Sequence, residues 1–205
     1  MIEKSLRMIP RSEAEWLGPM DVAGWYGETA GRPLEIDLGC GKGRFLLARA
    51  AKCRGTNFLG IDRMLRRIRK VDNRARRMDL DNIRLLRCEG FYAMAHLLPA
   101  ALADVCYIFF PDPWPKARHE AHRLFNTAFL DALCRVMKPG GVVHFATDHL
   151  PYFEQVAAVL DADSRLETVP PYVPPEDEQT DFELYFAGRE GKKIGRRSVR
   201  IRAQA

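Results

Sequence analysis

Little in this chain would staple it or anchor it. Its 205 residues include five cysteines, an odd number, and no two stand at C-x-x-C spacing. A disulfide framework or a cysteine-pair zinc site is therefore not expected. Cys40, Cys53, Cys88, Cys106 and Cys134 read as small hydrophobes in a reducing compartment. No apolar run approaches the roughly 18 residues a membrane helix needs. The longest, Ala103 to Phe110, is broken by Asp104 and closed by Pro111. The opening MIEKSLRMIPRSEAEW has no apolar core of a signal peptide. Neither G-x-G-x-x-G nor G-x-x-x-x-G-K-[ST] occurs, which removes the two common phosphate-cradling fingerprints. His119 and His122 have no third ligand nearby, so they read as surface histidines. The expectation is a soluble cytoplasmic protein, monomer or homodimer, with no membrane and no metal partner.

What is present is charge, unevenly spread. At 47% hydrophobic and 29% charged, the composition is that of a globular chain, not a disordered tail. The formal net charge of +5 conceals two basic segments. Arg63 to Arg77 holds eight basic residues and one acid, and Gly188 to Ala205 holds seven and one. Together they carry +13, and the rest of the chain carries −8. The first segment has an apolar stripe through Leu65, Ile68, Val71, Ala75 and Met78, so it reads as a helix with arginines on the far face. That face is either solvated or tracks phosphates. The second ends in Ser198-Val199-Arg200-Ile201-Arg202, an alternating strand pattern that suits an Arg-lined face or a solubilised sheet edge.

Residues 1–33 form a lead-in, and 34–205 a single domain with a basic tail. Strand patterns at 34–38, 57–61, 83–87, 104–110 and 142–146 alternate with helix patterns at 45–51, 64–78, 91–98, 124–137 and 151–160. The helix at 124–137 should stop at Lys138-Pro139-Gly140-Gly141. Residues 167–180 are Pro-rich and acidic, a surface excursion. The order implies an α/β fold, a Rossmann-like, doubly wound, mostly parallel sheet.

The first strand runs into Glu35-Ile36-Asp37-Leu38-Gly39-Cys40-Gly41-Lys42-Gly43. Alternate glycines let a ligand approach backbone at a helix N-terminus. Asp62 ends the second strand about 20 residues on, where a carboxylate accepts ribose hydroxyls. Glu89 follows the third strand, in reach of an adenine amino group. Acids and glycines without a phosphate-binding Lys-Ser/Thr pair suit a cationic, phosphate-free nucleoside, and S-adenosyl-L-methionine is such a molecule.

The fourth strand runs into Phe109-Phe110-Pro111-Asp112-Pro113-Trp114-Pro115-Lys116-Ala117-Arg118-His119. Here the sequence resembles the bacterial tRNA (guanine-N7)-methyltransferase family, of the class I methyltransferase type. Glu35-x-x-x-Gly39-x-Gly41, Gly60-Ile61-Asp62, Lys138-Pro139-Gly140-Gly141, Ala146-Thr147-Asp148 and Thr180-Asp181-Phe182-Glu183 follow in the family's order. The resemblance implies that Glu35, Gly39, Asp62, Glu89 and Asp112 line the cofactor pocket, with Asp112 catalytic. It implies that Lys116, Asp148, Thr180, Asp181, Phe182 and Glu183 meet the substrate, and that Arg118 and Arg123 lie along tRNA. The implied target is the variable-loop guanosine, position 46 of the tRNA. Five features depart from the pattern: a short lead-in, an unusually basic C-terminal tail, and three nearer the site. Asp37 stands where Gly is usual, Glu89 where Asp is usual, and Glu120, Ala121 and His122 thin the basic run.

Spacing alone leaves other roles open. Asp148 suits an N-cap for the helix that Pro151 opens. Thr180-x-x-Glu183 is also a capping-box pattern. Trp114 is either core or a stacking platform for a base. A class I methyltransferase acting on another RNA, a small molecule or a protein is the alternative to the tRNA reading.

Overall fold

The computed structural model describes residues 18–114, 123–187 and 193–203. A short helix α1 (Val22–Tyr26) precedes strand β1 (Leu34–Leu38). Helix α2 (Arg44–Lys52), strand β2 (Asn57–Asp62), helix α3 (Leu65–Arg77) and strand β3 (Ile83–Arg87) follow. Next come α4 (Gly90–Tyr92), which runs into a π-turn at Ala93–Leu97, and β4 (Ala103–Phe109). The second half comprises α5 (Thr127–Val136), β5 (Met137–Thr147), α6 (Leu150–Ala162), β6 (Leu166–Val169), α7 (Asp181–Ala187) and β7 (Gly195–Ile201).

The seven strands lie in the order β3-β2-β1-β4-β5-β7-β6. Pairs from β3 through β5 are parallel, and β7 runs antiparallel between β5 and β6. Every residue of β1 and β2 is buried, because helices cover both faces of a parallel sheet. On β1, Leu34, Ile36 and Leu38 enter the larger core beside α5 and α6. Glu35 and Asp37 therefore face the other side, where α2 and α3 pack through Leu46, Leu47, Ile68, Val71 and Ala75. At Gly60 on β2 a Cβ would sit 2.5 Å from the Leu46 side chain, so a larger residue would have to push that leucine aside. The chain winds outward from β1 to β3 and returns to β4, so the crevice between β1 and β4 is the topological switch point where such folds bind ligands.

Several expected elements differ in detail. Part of the lead-in belongs to the core: Met20, Val22 and Tyr26 are buried, and the Tyr26 hydroxyl donates to the Phe58 carbonyl at 2.8 Å. Helix α5 begins three residues later than expected, because the Asn126 side chain accepts from the Phe129 amide at 2.9 Å and caps it there. Lys138 to Gly141 do not simply stop that helix. They form the first part of β5, with a bulge where the pairing shifts between Ala103 and Val105. Gly140 takes φ +81° at this bulge. The terminal strand starts earlier, at Gly195, and is interior to the sheet, so it is not a solubilised edge. The edge is β6, a four-residue strand that the Pro-rich reading of 167–180 passed over.

Candidate active site

Two adjoining cavities, each of about 430 Å³, open at the carboxyl ends of β1, β2 and β4. They share Gly39, Arg67, Phe109, Phe110 and Asp112 as walls. One lies toward Asp62, Glu89 and Trp114, and the other toward Asp37, Thr180 and Phe182.

The Gly39–Gly43 turn is built by positive backbone angles, φ +89° at Gly39, +56° at Gly41 and +75° at Gly43. At Gly43 a Cβ would also lie 2.7 Å from Val71, so only glycine fits that position without displacement. The Gly39 and Cys40 amides both donate to the Ile61 carbonyl, which ties the turn to the end of β2. Asp62 completes the tie. One carboxylate oxygen accepts from the Met64 amide at 2.7 Å, and the other from the Gly41 amide at 3.1 Å. Arg67 reaches that second oxygen at 3.3 Å.

Asp37 differs from Asp62. It is 5% exposed and lines the cavity, and its carboxylate makes no hydrogen bond or ion pair with any described residue. Burial, and then the nearby Asp62 charge, push its carboxyl up to about 7. A cation placed in the cavity would favour the ionised form. The donor set therefore suits a positively charged ligand.

Glu35 is not part of the cavity wall. Its carboxylate accepts from Arg49 at 2.7 and 3.1 Å, and the Tyr107 hydroxyl donates to it at 3.0 Å. Strand alternation sets Glu35 and Asp37 on one face, but only Asp37 is near the carboxyl end of β1. The residue that the family comparison read as a departure from Gly is thus the acid at the cavity.

Other expected site residues divide as follows. Glu89 lines the cavity and caps α4, accepting from the Phe91 and Tyr92 amides at 2.9 and 2.8 Å. Asp112 stands at the shared rim, 3.6 Å from Arg63. Phe110 before it has φ +53°, and its ring stacks on Phe182 with centroids 5.4 Å apart and planes at 18°. Thr180, Asp181 and Phe182 line the cavity. Glu183 turns inward instead. It forms the capping box, with the Thr180 amide donating to Glu183 at 2.7 Å and the Glu183 amide donating to the Thr180 hydroxyl at 3.1 Å, and it pairs with Arg196. Arg123, expected along the RNA, is half-buried in the cavity wall and braces the loop. It donates to the carbonyls of Pro113 and Trp114 and to the Gln155 side chain. Asp148 follows β5 outside both cavity walls, and the α6 cap is His149, whose ring nitrogen accepts from the Tyr152 amide at 3.1 Å. Lys116 and Arg118 lie outside the described residues, as do His119 and His122.

A latch that the sequence did not suggest holds the Thr180 side of the cavity. The Arg49 guanidinium lies against the Tyr107 and Tyr172 rings and reaches Glu178 at 3.5 Å. Lys52 pairs with Asp177 and Glu178, and Arg44 donates to the Gln179 carbonyl at 2.9 Å. Three cations of α2 thus fasten the segment immediately before Thr180 to the helix that follows the glycine turn. Among the described residues no group of three His, Cys, Asp or Glu could hold a metal ion. No helix among them is long and apolar enough to cross a membrane.

The fold has many relatives of known structure. The 16S rRNA methyltransferase KamB superposes with a TM-score of 0.66 at 14% identity, covering 95% of this chain and 96% of that one. The antibiotic-resistance methyltransferase Kmr gives 0.62 at 23%, covering 96% of each. Residues 31–197 match the family model described as "Putative methyltransferase". Sheet order, switch-point cavity and glycine turn define a class I methyltransferase fold. The tRNA (guanine-N(7)-)-methyltransferase of Halorhodospira halophila is 37% identical over 173 residues, 81% of this chain and 73% of that protein. Its counterpart in Nocardia farcinica is 40% identical over 155 residues, 75% of this chain and 56% of that protein. The match thus takes in little more than half of the Nocardia protein. The chain belongs to the bacterial tRNA (guanine-N(7)-)-methyltransferase family.

Proposed function

We propose that this chain transfers the methyl group of S-adenosylmethionine to N7 of a tRNA guanosine, the variable-loop position 46. The observation that carries this reading is the meeting at one crevice of three elements: the unpaired Asp37 beside the glycine turn, the Asp112 loop, and the Thr180–Phe182 segment. As a tRNA-modifying enzyme it would work in the cytoplasm.

When bound, S-adenosylmethionine supplies an electrophilic methyl on a sulfonium. Asp37, Gly39, Asp62 and Glu89 would hold it, the open glycine backbone admitting it and the carboxylates matching its positive charge. Guanine N7 bears an sp² lone pair and no proton, so no base has to expose the nucleophile. Alignment then supplies most of the rate, a contribution that reaches roughly 7–11 kcal/mol in well-oriented systems. The purine becomes cationic as the N–C bond forms. Asp112, at the shared rim, would stabilise that charge. Phe110 and Phe182 offer aromatic surface for the base, and Thr180 and Asp181 polar groups for its edge. Lys116, Asp148 and Arg118 are assigned to the tRNA side on the family pattern, and Glu183 supports that side through its cap.

Incubation of the protein with unmethylated tRNA and labelled S-adenosylmethionine, followed by nucleoside mass spectrometry, tests this. Label in 7-methylguanosine is expected. Label in another nucleoside, or transfer to a protein or small molecule instead, would overturn it.

A further inference from the structure

We infer that, of the basic faces on α3 and on β7, the outer face of α3 is the one built to take the phosphate backbone of the substrate RNA. This rests on the tRNA reading above and identifies the surface that would grip the RNA beside the cavity.

The arginines of β7 and Arg202 just after it look equally basic in sequence, but each is already engaged. Arg196 pairs with the buried Glu183, Arg197 with Asp161, and Arg200 lies 4.0 Å from Glu167. Arg202 donates to the Leu166 carbonyl at 3.1 Å. These residues hold β7 in place and fasten it to α6, α7 and β6. A phosphate arriving there would have to displace carboxylates.

On α3 the arrangement is reversed. Ile68, Val71 and Ala75 are fully buried and fix which face is turned inward. Arg67 and Arg74 are committed toward the cavity, to Asp62 and to the Lys42 carbonyl, and Arg76 pairs with Asp72. Arg66, Arg69, Lys70 and Arg77 are exposed and make no hydrogen bond or ion pair with any described residue. At 100° per residue, these four fall within about 100° of arc, opposite the buried stripe. They form a cationic line about 17 Å long, at a rise of 1.5 Å per residue.

The line is continuous with the cavity. Arg63, immediately before the helix, and Arg67 on its first turn both stand in the cavity wall. An RNA whose guanosine enters the crevice can therefore lay its flanking backbone along α3 without leaving the protein surface. Four unpaired cations in line suit the regularly spaced charges of a sugar-phosphate backbone, and arginine forks bind phosphate bidentately.

The test compares two full-length variants with the wild type. One carries Arg66→Gln, Arg69→Gln, Lys70→Gln and Arg77→Gln. The other carries Arg197→Gln and Arg200→Gln. Binding of an unmethylated tRNA transcript is followed against salt, together with kcat, KM and cofactor affinity. The α3 variant should lower the magnitude of the slope of log affinity against log salt by about 3, at roughly 0.7–0.9 per phosphate contact. Its KM for tRNA should rise at least tenfold, with kcat and cofactor affinity unchanged. The β7 variant should leave the slope alone. An unchanged slope in the α3 variant, or an equal loss in the β7 variant, would overturn the assignment while wild-type methylation of tRNA left the proposed function standing. Wild-type protein that neither binds nor methylates tRNA would overturn both.

Discussion

Asp112 lies 3.6 Å from Arg63 at the mouth of the crevice, with the two side chains 70% and 65% exposed. An ion pair so exposed contributes little to stability, so it can open at small cost. On the proposed function, Asp112 would then turn to the guanine ring and Arg63 to a phosphate. Asp112→Ala should lower kcat by at least about 100-fold, the scale of losing one aimed electrostatic group. The melting temperature and the cofactor affinity should stay near those of the wild type. Activity retained in this variant would remove Asp112 from the reaction.

Asp37 should couple pH to both cofactor binding and stability. Its carboxyl titrates near 7 in the folded chain, against 3.8 ordinarily. A cationic ligand selects the ionised form, so affinity for S-adenosylmethionine should rise about tenfold per pH unit up to about 7 and level off above. Calorimetry across pH 5.5 to 8.5 checks this, and Asp37→Asn should flatten the profile and weaken binding.

For stability the sign is opposite. The folded state holds the Asp37 proton to a higher pH than the unfolded chain does. Its stabilising contribution is therefore complete below about 3.8 and is lost as pH rises through about 7. At 1.36 kcal/mol per pH unit, the loss is bounded at about 4 kcal/mol. Without cofactor, Asp37→Asn should melt higher than the wild type at pH 8 and show a smaller gain at pH 5.

Removing the Arg49 side chain would leave Glu35 a buried carboxylate with no cation and Glu178 with Lys52 as its remaining one. Arg49→Ala should destabilise the protein by about 3 kcal/mol, the lower end for a broken buried pair. That corresponds to a fall in Tm of about 6–12 °C for a domain of this size.

Phe182 lines the cavity and is 53% exposed although it stacks on Phe110 and meets Phe186 at a 30° tilt, so part of its ring face is open. Stacking a base on such a face is worth about 1–3 kcal/mol. Phe182→Ala should therefore lower kcat/KM for tRNA about 10- to 100-fold without changing cofactor affinity, and Phe182→Tyr should recover most of it.

The parallel half of the fold was legible because its signals are local. Leu34–Leu38, Asn57–Asp62 and Ile83–Arg87 are short apolar runs, each ended by a turn or an acid, and α3 carries an unambiguous stripe. Strand β6 was not, since Leu166-Glu-Thr-Val169 has only two apolar residues and gains its pairing from β7, far along the chain. The same division holds at the site. Asp62 and Asp112 were readable from strand-end position. Telling Glu35 from Asp37 required knowing that Arg49 and Tyr107 cover one of two acids on the same strand face. The one hint in the sequence was distance from the strand end, with Asp37 two residues before the first glycine. Likewise, net charge could not separate the two basic segments, because the partners Glu183, Asp161 and Glu167 are scattered in sequence.

If the crevice between β1 and β4 places one tRNA guanosine for methylation at N7, the modification falls on a single nucleotide. Borohydride reduction and aniline cleavage map 7-methylguanosine to a nucleotide, and this applies directly to tRNA treated with the enzyme and S-adenosylmethionine. A single cut at the variable-loop guanosine, absent from a transcript with adenosine there and absent with the Asp112→Ala enzyme, is the predicted result. Cleavage at other guanosines, none at all with cofactor bound, or an unchanged cut with Asp112→Ala would contradict it.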